Sequence, residues 1–394
     1  MPRRRTLPAT ALLAATMFAA VTTEVLPVGL LPQLSAAFGV GEAGIGWWVT
    51  AYALVVAVGA VPLTSALARV RRRPALVALL LAYALSNAVV VAAPGYAVAV
   101  AARLLGGLAH AGVFSVAVAT AVALVPREEA GRALALVNGG IALALSLGVP
   151  LGTAVGEAVG WRWAFGATSV LLLVLAAAAL RLVPATLAAH EDVPPVLPAL
   201  RRPGLPGLAL ATVALTLGHY GVYTYVTPVV LAAGVRLDHV SLVLFGYGAA
   251  GVVGVLVAGV VADRHPLAAL RASVAVLLGC VVAVVLAGSA APTTAVVAVW
   301  GAAFGALPTL LQTVALRVTD GSDAAPAVVN ASFNVGIGGG AVLGGSLLGA
   351  GPGWQAGVAG ALVACGLLLT RGARPARLPQ PVPGAVSPGV RPRR

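Results

Sequence analysis

The sequence contains no lysine, only two cysteines and few charges of either sign. Charged residues make up 9% of the 394 residues, whereas a typical soluble domain has about 25%. Hydrophobic residues make up 60%, and the mean hydropathy is +1.02. Cys280 and Cys365 both lie inside apolar runs, which offers no disulfide framework or metal-ligand spacing and indicates buried thiols. This composition excludes a water-soluble globule.

Twelve apolar stretches near membrane-spanning length follow one another along the chain. A bilayer core about 30 Å thick needs about 20 apolar residues per helix, and a segment in lipid must satisfy its backbone hydrogen bonds internally. The first stretch is too long for the apolar core of a signal peptide, so we expect it to be retained. The sequence therefore predicts an all-α membrane protein whose transmembrane helices, spans 1 to 12, cover residues 9–31, 46–68, 74–93, 96–125, 132–158, 162–183, 207–233, 240–262, 267–290, 293–318, 324–350 and 354–370.

The net charge of +13 comes from arginines at the ends of the spans, not on one face or in one domain. This distribution argues against a nucleic-acid partner. If the N-terminus is cytoplasmic, 21 of the 24 arginines fall in cytoplasmic segments, Arg162 and Arg236 fall in outer loops, and Arg103 lies inside a span. Because short cytoplasmic loops are rich in basic residues, we expect a multi-pass protein of the cell (plasma or inner) membrane with both termini in the cytoplasm.

The two halves of the chain repeat. The motif Asn-x-Gly-Ile begins at Asn138 in span 5 and again at Asn334 in span 11, 196 residues later, and each copy is followed by a glycine, Gly148 or Gly344. Parallel six-span repeats are the plan of one large transporter fold, which binds substrate between the halves near the bilayer midplane. We predict a six-helix bundle at 1–183, a cytoplasmic linker at 184–206, a second six-helix bundle at 207–370 and a disordered cytoplasmic tail at 371–394.

Glu24 is the carboxylate that interrupts the apolar part of a span away from its ends. A charge at the bilayer centre costs about 2.5–3.5 kcal/mol or more, so such residues mark ion or substrate pathways. Pro27 should kink the helix beside Glu24, and the Thr22 or Thr23 hydroxyl or water can bond the freed backbone groups. We predict that Glu24 binds the exchanged proton; the alternative is a structural glutamate paired permanently with an arginine.

Arg103 in span 4 is the natural partner of Glu24. Both residues lie about 10 Å below the outer surface at 1.5 Å per residue, although equal depth does not establish that spans 1 and 4 touch. His110 follows Arg103 by two helical turns on the same stripe, and histidine titrates near neutral pH. We predict a proton-coupling site formed by Glu24, Arg103 and His110; the alternative for His110 is a bond to a backbone carbonyl.

Aromatic and polar side chains also occur at depth in the spans. Such a mixed lining suits an amphipathic organic molecule, although ordinary interhelical packing explains each residue equally well. The predicted substrate-binding residues are Tyr52, Asn138, His219, Tyr220, Tyr223, Phe304 and Asn334.

Glycines recur every four residues in spans 5 and 11, and Pro150 adds a kink to span 5. Such stripes let helix backbones pack closely. We expect tight packing, and we predict that these helices line the seam along which the halves rock. The predicted seam residues are Gly148, Pro150, Gly152 and Gly156 in span 5 and Gly336, Gly340 and Gly344 in span 11.

These motifs resemble those of the major facilitator superfamily, and the resemblance covers nearly the whole chain. The loop from Gly259 to Asp263 and Arg264 resembles its Gly-x-x-x-Asp-Arg signature, and the loop after span 2 keeps a basic cluster with Arg69 and Arg72 but has no aspartate. In the family these loops are implied to latch the outward-open state. The resemblance therefore implies a conformational latch at Arg69, Arg72, Asp263 and Arg264.

Three further motifs carry the resemblance. Arg103 with Gly106 and Gly107 resembles the family's span-4 arginine motif, to which a role in proton transfer is commonly assigned. The stretch 148–153 looks like a variant of the span-5 antiporter motif, and the stretch 23–32 is similar to the first helix of drug and sugar efflux members. The resemblance implies two six-helix bundles of the major facilitator fold and favours the proton-driven drug-efflux branch.

We therefore predict a monomeric, proton-coupled exporter of small amphipathic organic compounds such as drugs, working by alternating access in a lipid bilayer. No cofactor or metal is expected. The nearest alternative is a sugar or metabolite transporter of the same fold, possibly a symporter. A membrane-embedded enzyme is disfavoured because the sequence has no metal-ligand cluster, nucleophile–base pair or phosphate cradle, and a channel is disfavoured because it has no repeated charged rings.

Overall fold

The computed structural model of the protein describes residues 3–67, 69–126, 130–185, 201–262, 264–319 and 325–372. Every regular element within these ranges is a helix, and twelve helices are long and apolar enough to cross a membrane. Each predicted span overlaps one of them, so the predicted all-α, twelve-span class is confirmed. The predicted bundle boundaries stay predictions, because most of the linker (186–200) and of the tail (373–394) lies outside the described residues.

The helices of the two halves follow the same order. In the first half, spans 1 to 4 are Arg3–Gly29, Glu42–Leu67, Arg72–Ala92 and Tyr96–Leu124; span 5 joins Ala130–Leu143, a π-helical turn Ala144–Gly148 and Val149–Val159; span 6 is Trp161–Leu182. In the second half, spans 7 to 12 are Leu205–Tyr223, Val240–Ala262 (after a short turn Leu237–His239), Pro266–Leu286, Ala290–Val318, Ala325–Leu347 and Pro352–Leu369.

The first span of each half ends in a break followed by a short helix. Span 1 ends at Gly29 and the chain continues as Leu31–Phe38, whereas span 7 ends at Tyr223 and continues as Val226–Ala232. Pro32 is at the start of the first short helix and Pro228 is within the second. The predicted span 7 (207–233) ran through its break, whereas the predicted span 1 (9–31) ended two residues beyond Gly29, at the first residue of the short helix, so neither break was predicted.

Helix packing repeats between the halves. Spans 1 and 5 pack together as spans 7 and 11 do, spans 2 and 4 as spans 8 and 10 do, and spans 3 and 6 as spans 9 and 12 do. The halves meet where span 2 packs on span 11 and where span 5 packs on span 8, which are equivalent pairs. The molecule is therefore two six-helix bundles related by a pseudo-two-fold axis along the membrane normal.

The glycine stripes hold together helices of the same half. A methyl group on a stripe glycine would collide with span 1 in the first half and with span 7 in the second, so the absence of a side chain permits the close approach. The pairs are Gly148–Thr22, Gly152–Leu26 and Gly156–Leu30 in the first half, and Gly336–Thr216, Gly340–Tyr220 and Gly344–Gly221 in the second.

Contact between the halves uses other residues of the same helices. The Thr50 hydroxyl of span 2 donates to the Gly338 carbonyl of span 11 at 2.9 Å, and the Ser146 hydroxyl in the π-helical turn donates to the Gly248 carbonyl of span 8 at 2.9 Å. Spans 5 and 11 therefore do line the contact between the halves, but their stripe glycines face span 1 and span 7. That these glycines permit rocking stays a prediction.

The two ends of the helical bundle differ in composition. At one end, which we call the arginine-rich face, span 1 begins and span 12 ends, and arginine side chains bond the last carbonyls of neighbouring helices. Arg202 donates to Thr319 at 2.6 Å, Arg271 to Thr370 at 3.1 Å and Arg317 to Ala262 at 3.1 Å. These contacts satisfy helix-terminal carbonyls with charged donors.

At the opposite end, which we call the tryptophan-rich face, spans 2, 6 and 12 begin. Their first two turns carry five of the six tryptophans: Trp47, Trp48, Trp161, Trp163 and Trp354. Trp47, Trp163 and Trp354 are 52%, 67% and 67% exposed. Exposed indole rings favour the headgroup level of a bilayer, so these residues mark where this end of the molecule meets the membrane surface.

Candidate functional site

The proline in span 1 leaves a main-chain carbonyl that Arg103 binds. Pro27 lies inside the helix and has no N–H, so the Thr23 carbonyl four residues earlier loses its helical donor. Arg103 is fully buried and donates from Nη1 to the Thr23 carbonyl at 2.9 Å and from Nη2 to the Glu24 carbonyl at 3.1 Å. We expected a threonine hydroxyl or water at this place; the guanidinium of span 4 binds there instead.

The Glu24 carboxylate faces His110. Its Oε2 lies 3.9 Å from His110 Nε2, and the two side chains are 12% and 7% exposed. Among the described residues, the Arg236–Asp238 ion pair is by contrast exposed at the surface. Glu24 therefore lies within electrostatic range of the Arg103 guanidinium, but the side chain that its carboxylate faces is the His110 imidazole.

Tyr52 belongs to this charged cluster, which we define as Glu24, Arg103, His110, Tyr52 and Tyr83. The Arg103 guanidinium carbon lies 4.3 Å from the centre of the Tyr52 ring, and the His110 ring meets it edge-on at 5.6 Å. The Tyr83 hydroxyl donates to the Ala20 carbonyl at 2.8 Å, so in the bond between the two tyrosine hydroxyls Tyr52 is the donor. Tyr52 thus packs beneath the guanidinium, and its predicted contact with substrate stays a prediction.

A second group of side chains in the other half consists of rings. We call this group the aromatic box, and its buried members are His219, Tyr220 and Tyr223 of span 7, Tyr247 of span 8, and Trp300 and Phe304 of span 10. The His219 and Phe304 rings stack with centroids 3.5 Å apart and planes 3° apart, and Tyr223 stacks on His219 at 5.2 Å. Four residues of the predicted substrate site therefore lie together.

Tyr247 and Trp300 are the members of the box that the predicted substrate site did not include. Tyr247 lies ten residues after Leu237, where the turn before span 8 begins, as Tyr52 lies ten residues after Glu42 at the start of span 2. Comparison of spans 2 and 8 residue by residue could have found Tyr247. It packs against Tyr223 at 4.8 Å and against Trp300 at 5.8 Å, and so closes the box on the span 8 side.

The two asparagines of the repeated motif do not join the box. Asn138 is exposed, whereas Asn334 is buried and donates from Nδ2 to the Asn330 carbonyl one turn earlier at 3.0 Å. The box therefore consists of side chains of spans 7, 8 and 10 alone.

Three of the four predicted latch residues, Arg69, Arg72 and Arg264, lie at the arginine-rich face. Arg69 and Arg264 are exposed in the turns after spans 2 and 8, and Arg72 is buried and bonds the Ala119 carbonyl of span 4. Asp263 lies outside the described residues. The latch stays a prediction implied by the resemblance.

Residues 12–325 match the family model of the Major Facilitator Superfamily, and the chain belongs to this family. It is similar in structure to a bacterial homologue of the human lysosomal transporter Spinster. With the inward-facing, occupied form the TM-score is 0.77 at 12% identity, over 95% of this chain and 96% of that one. With the inward-facing, unoccupied form it is 0.74 at 13% identity, over 96% and 100%.

The family match and the twelve helices establish the class of protein. The chain is a multi-pass membrane transporter of small molecules, and it is not an enzyme. The similarity to the Spinster homologue, at this level of identity, shows the fold alone.

Proposed function

We propose that this transporter exports small amphipathic organic compounds in exchange for protons, as a monomer in the cell membrane with both termini in the cytoplasm. The observation that carries the proposal is the placement of Glu24. Its carboxylate faces an imidazole at 3.9 Å, while Arg103 is held by main-chain carbonyls. A carboxylate without a bidentate arginine partner can gain and release a proton during the transport cycle.

The energy of the exchange supports useful accumulation. Each proton that enters down a membrane potential of 100 mV contributes about 2.3 kcal/mol. At about 1.4 kcal/mol per factor of ten, this can hold a neutral cargo at about a fiftyfold gradient.

The contacts between the halves support alternating access. At the tryptophan-rich end, the Thr227 hydroxyl donates to the Val28 carbonyl at 2.8 Å, and Tyr225 packs against Gly46 so closely that a methyl group there would collide with it. The halves are therefore closed on each other at this end. If the arginine-rich face is cytoplasmic, as the arginine distribution predicts, the described conformation is closed on its outer side, as alternating access requires of an inward-facing form.

The composition of the aromatic box supports an organic cargo. Ring faces bind flat or amphipathic molecules through apolar contact, with few polar groups to fix orientation. A sugar transporter of the same fold would need several hydrogen-bonding side chains in the same place, whereas the box presents mainly ring surface.

The test uses purified protein in proteoliposomes and the amphipathic dye ethidium. An acidic lumen should drive ethidium uptake in the wild type, and a Glu24→Gln variant should lose this uptake by a factor of 100 or so because it cannot carry the proton. Glu42→Gln is the matched control, since Glu42 lies in the first turn of span 2, away from the charged cluster. It should retain uptake within about twofold.

Undiminished uptake by Glu24→Gln would contradict the proton assignment. Sugar uptake driven by a proton gradient in the same vesicles would favour the alternative of a sugar or metabolite symporter. Correct folding of each variant is checked by its elution volume and its helical circular dichroism.

A further inference from the structure

His219 has one nitrogen bonded and one without a partner. The Trp300 indole N–H donates to His219 Nδ1 at 2.9 Å, whereas His219 Nε2 has no hydrogen-bond partner among the described residues. The whole side chain is buried. Buried polar groups are nearly always hydrogen-bonded, so an orphaned nitrogen in the interior of the aromatic box calls for an explanation.

The bond from Trp300 fixes the tautomer of the imidazole. An indole N–H can only donate, so Nδ1 must offer its lone pair, and the proton of the neutral ring is therefore on Nε2. A second proton on Nδ1 would break the bond to Trp300. His219 is thus a neutral ring that presents a single N–H donor from Nε2, and it differs from His110, which faces a carboxylate.

The rings around His219 leave its edges as the place for a polar contact. Phe304 covers it by parallel stacking at 3.5 Å, Tyr223 stacks at 5.2 Å, and Tyr220 meets it edge-on at 4.7 Å. A ligand can meet the donor only with an acceptor in the plane of the imidazole. The neighbouring walls are ring faces, which favour a flat, apolar body on the same ligand.

We infer that the aromatic box binds flat aromatic compounds that carry a carbonyl oxygen, and that this oxygen accepts a hydrogen bond from His219 Nε2. The inference rests on the proposed function, since it takes the box as part of the cargo site. The carbonyl oxygen of the compound accepts the hydrogen bond that His219 Nε2 otherwise lacks. When the box opens to admit the compound, contacts with its aromatic body take the place of contacts between the rings of the box. A compound of the same shape without the oxygen leaves the donor unpaired and binds more weakly.

A matched pair of tricyclic compounds tests the inference without any mutation. 9-Fluorenone carries a carbonyl where fluorene has a methylene group, and the two are otherwise alike in shape. Equilibrium binding of each to the full-length protein in phosphatidylcholine nanodiscs, corrected with empty nanodiscs, should show about tenfold tighter binding of 9-fluorenone. Equal affinity for the two compounds, or no saturable binding of either, would overturn the inference.

Two variants locate the effect at His219. His219→Phe keeps a ring in the stack but has no donor, so it should bind both compounds alike and keep the fluorene affinity within about twofold. His219→Gln places an amide N–H near the position of Nε2 and should recover part of the preference. A preference that persists in His219→Phe overturns the inference, and if that variant does not fold, the comparison rests on His219→Gln and the wild type.

Glu24→Gln separates this inference from the proposed function. It should retain the tenfold preference, because the carboxylate takes no part in the hydrogen bond at His219. If the preference for 9-fluorenone depends on His219 while the Glu24→Gln variant keeps undiminished proton-driven uptake, only the coupling proposal is contradicted. Normal proton-driven uptake with no preference between the two compounds would remove the present inference alone.

Discussion

The two halves of the molecule share one frame and differ in their interior chemistry. Spans 4 and 10 are both 29 residues long, and their fifteenth residues are His110 and Phe304. Their eighth residues are Arg103 and Val297. One half therefore places ionisable side chains where the other places apolar and aromatic side chains at the same height.

The difference suggests a division of labour that follows from the cost of charge in lipid. Because each intramembrane ionisable group is expensive to bury, a transporter gains by confining such groups to one bundle. The Arg103 guanidinium donates hydrogen bonds to two main-chain carbonyls of span 1. The cation that lies near the Glu24 carboxylate therefore also supplies the hydrogen bond that the helix lacks beside Pro27. Among the described residues, the interior of the second bundle presents ring surface instead, which the proposed function assigns to cargo.

Of the variants that test the difference between the halves, the one that removes Arg103 should have the largest effect, and this effect is on the free energy of unfolding. Arg103→Met leaves the Thr23 carbonyl without a donor and removes the side-chain donor to the Glu24 carbonyl, and one unpaired buried group costs about 1–3 kcal/mol. We expect the free energy of unfolding to fall by about 1–3 kcal/mol, measured by denaturant titration in detergent with circular dichroism.

Pro27→Ala provides the control for Arg103→Met. An alanine supplies the N–H that Thr23 lacks, so Arg103→Met should cost less in the Pro27→Ala background than in the wild type. A double-mutant cycle measures this coupling. Identical costs in the two backgrounds would show that Arg103 does not act through the carbonyl freed by Pro27.

Exchange of His110 and Phe304 should have an intermediate effect. His110→Phe gives the first half the residue of the second and leaves Glu24 without its imidazole partner. We expect proton-driven uptake to fall about tenfold, equivalent to about 1.4 kcal/mol, with a changed pH profile, because the Glu24 carboxylate loses the side chain that faces it.

Phe304→His is the reciprocal variant. It removes the ring stacked on His219, and since an aromatic pair contributes about 0.5–1.5 kcal/mol, binding of 9-fluorenone should weaken by about twofold to tenfold. The pH profile of uptake should stay that of the wild type. A changed pH profile in Phe304→His with a normal one in His110→Phe would reverse the division between the halves.

The smallest effect is expected where the halves meet. Thr50→Val removes the hydroxyl that donates to Gly338, and interhelical hydrogen bonds in membranes contribute about 0.6 kcal/mol on average. The population with the tryptophan-rich end open should rise by about twofold to threefold. Double electron–electron resonance distances between spin labels at positions 41 and 349 measure this population. Thr50→Ser is the control, because it keeps the hydroxyl that donates to the Gly338 carbonyl.

Much of the fold follows from the sequence because length and charge in a bilayer leave few choices. Runs of about 20 apolar residues can only be helices, and the repeat from Asn138 to Asn334 indicates two equivalent halves. The breaks after Gly29 and Tyr223 could not be predicted in this way. They lie inside continuous apolar runs, where hydropathy does not change and only the prolines at 32 and 228 give a local signal.

For the residues of the candidate site, the sequence predicts how deep each lies in the membrane but not which neighbour its side chain faces. Sequence position fixes how far along a span a residue lies, whereas the neighbour it faces depends on how the helices rotate and pack. Tyr52 therefore proved to lie under Arg103, and Asn138 and Asn334 differ in exposure despite identical motifs. Pro27 did identify a carbonyl in need of a donor, but the identity of the donor required the contact between spans 1 and 4.

The exposed indoles of Trp47, Trp163 and Trp354 belong to both bundles, two on the first and one on the second. Indole rings favour the headgroup layer, so these three tryptophans hold each bundle at a constant depth in the bilayer. The bundles can then tilt but cannot slide past one another along the membrane normal. Glu24 consequently meets water when a cleft opens above or below it, while the carboxylate itself stays at one level of the bilayer.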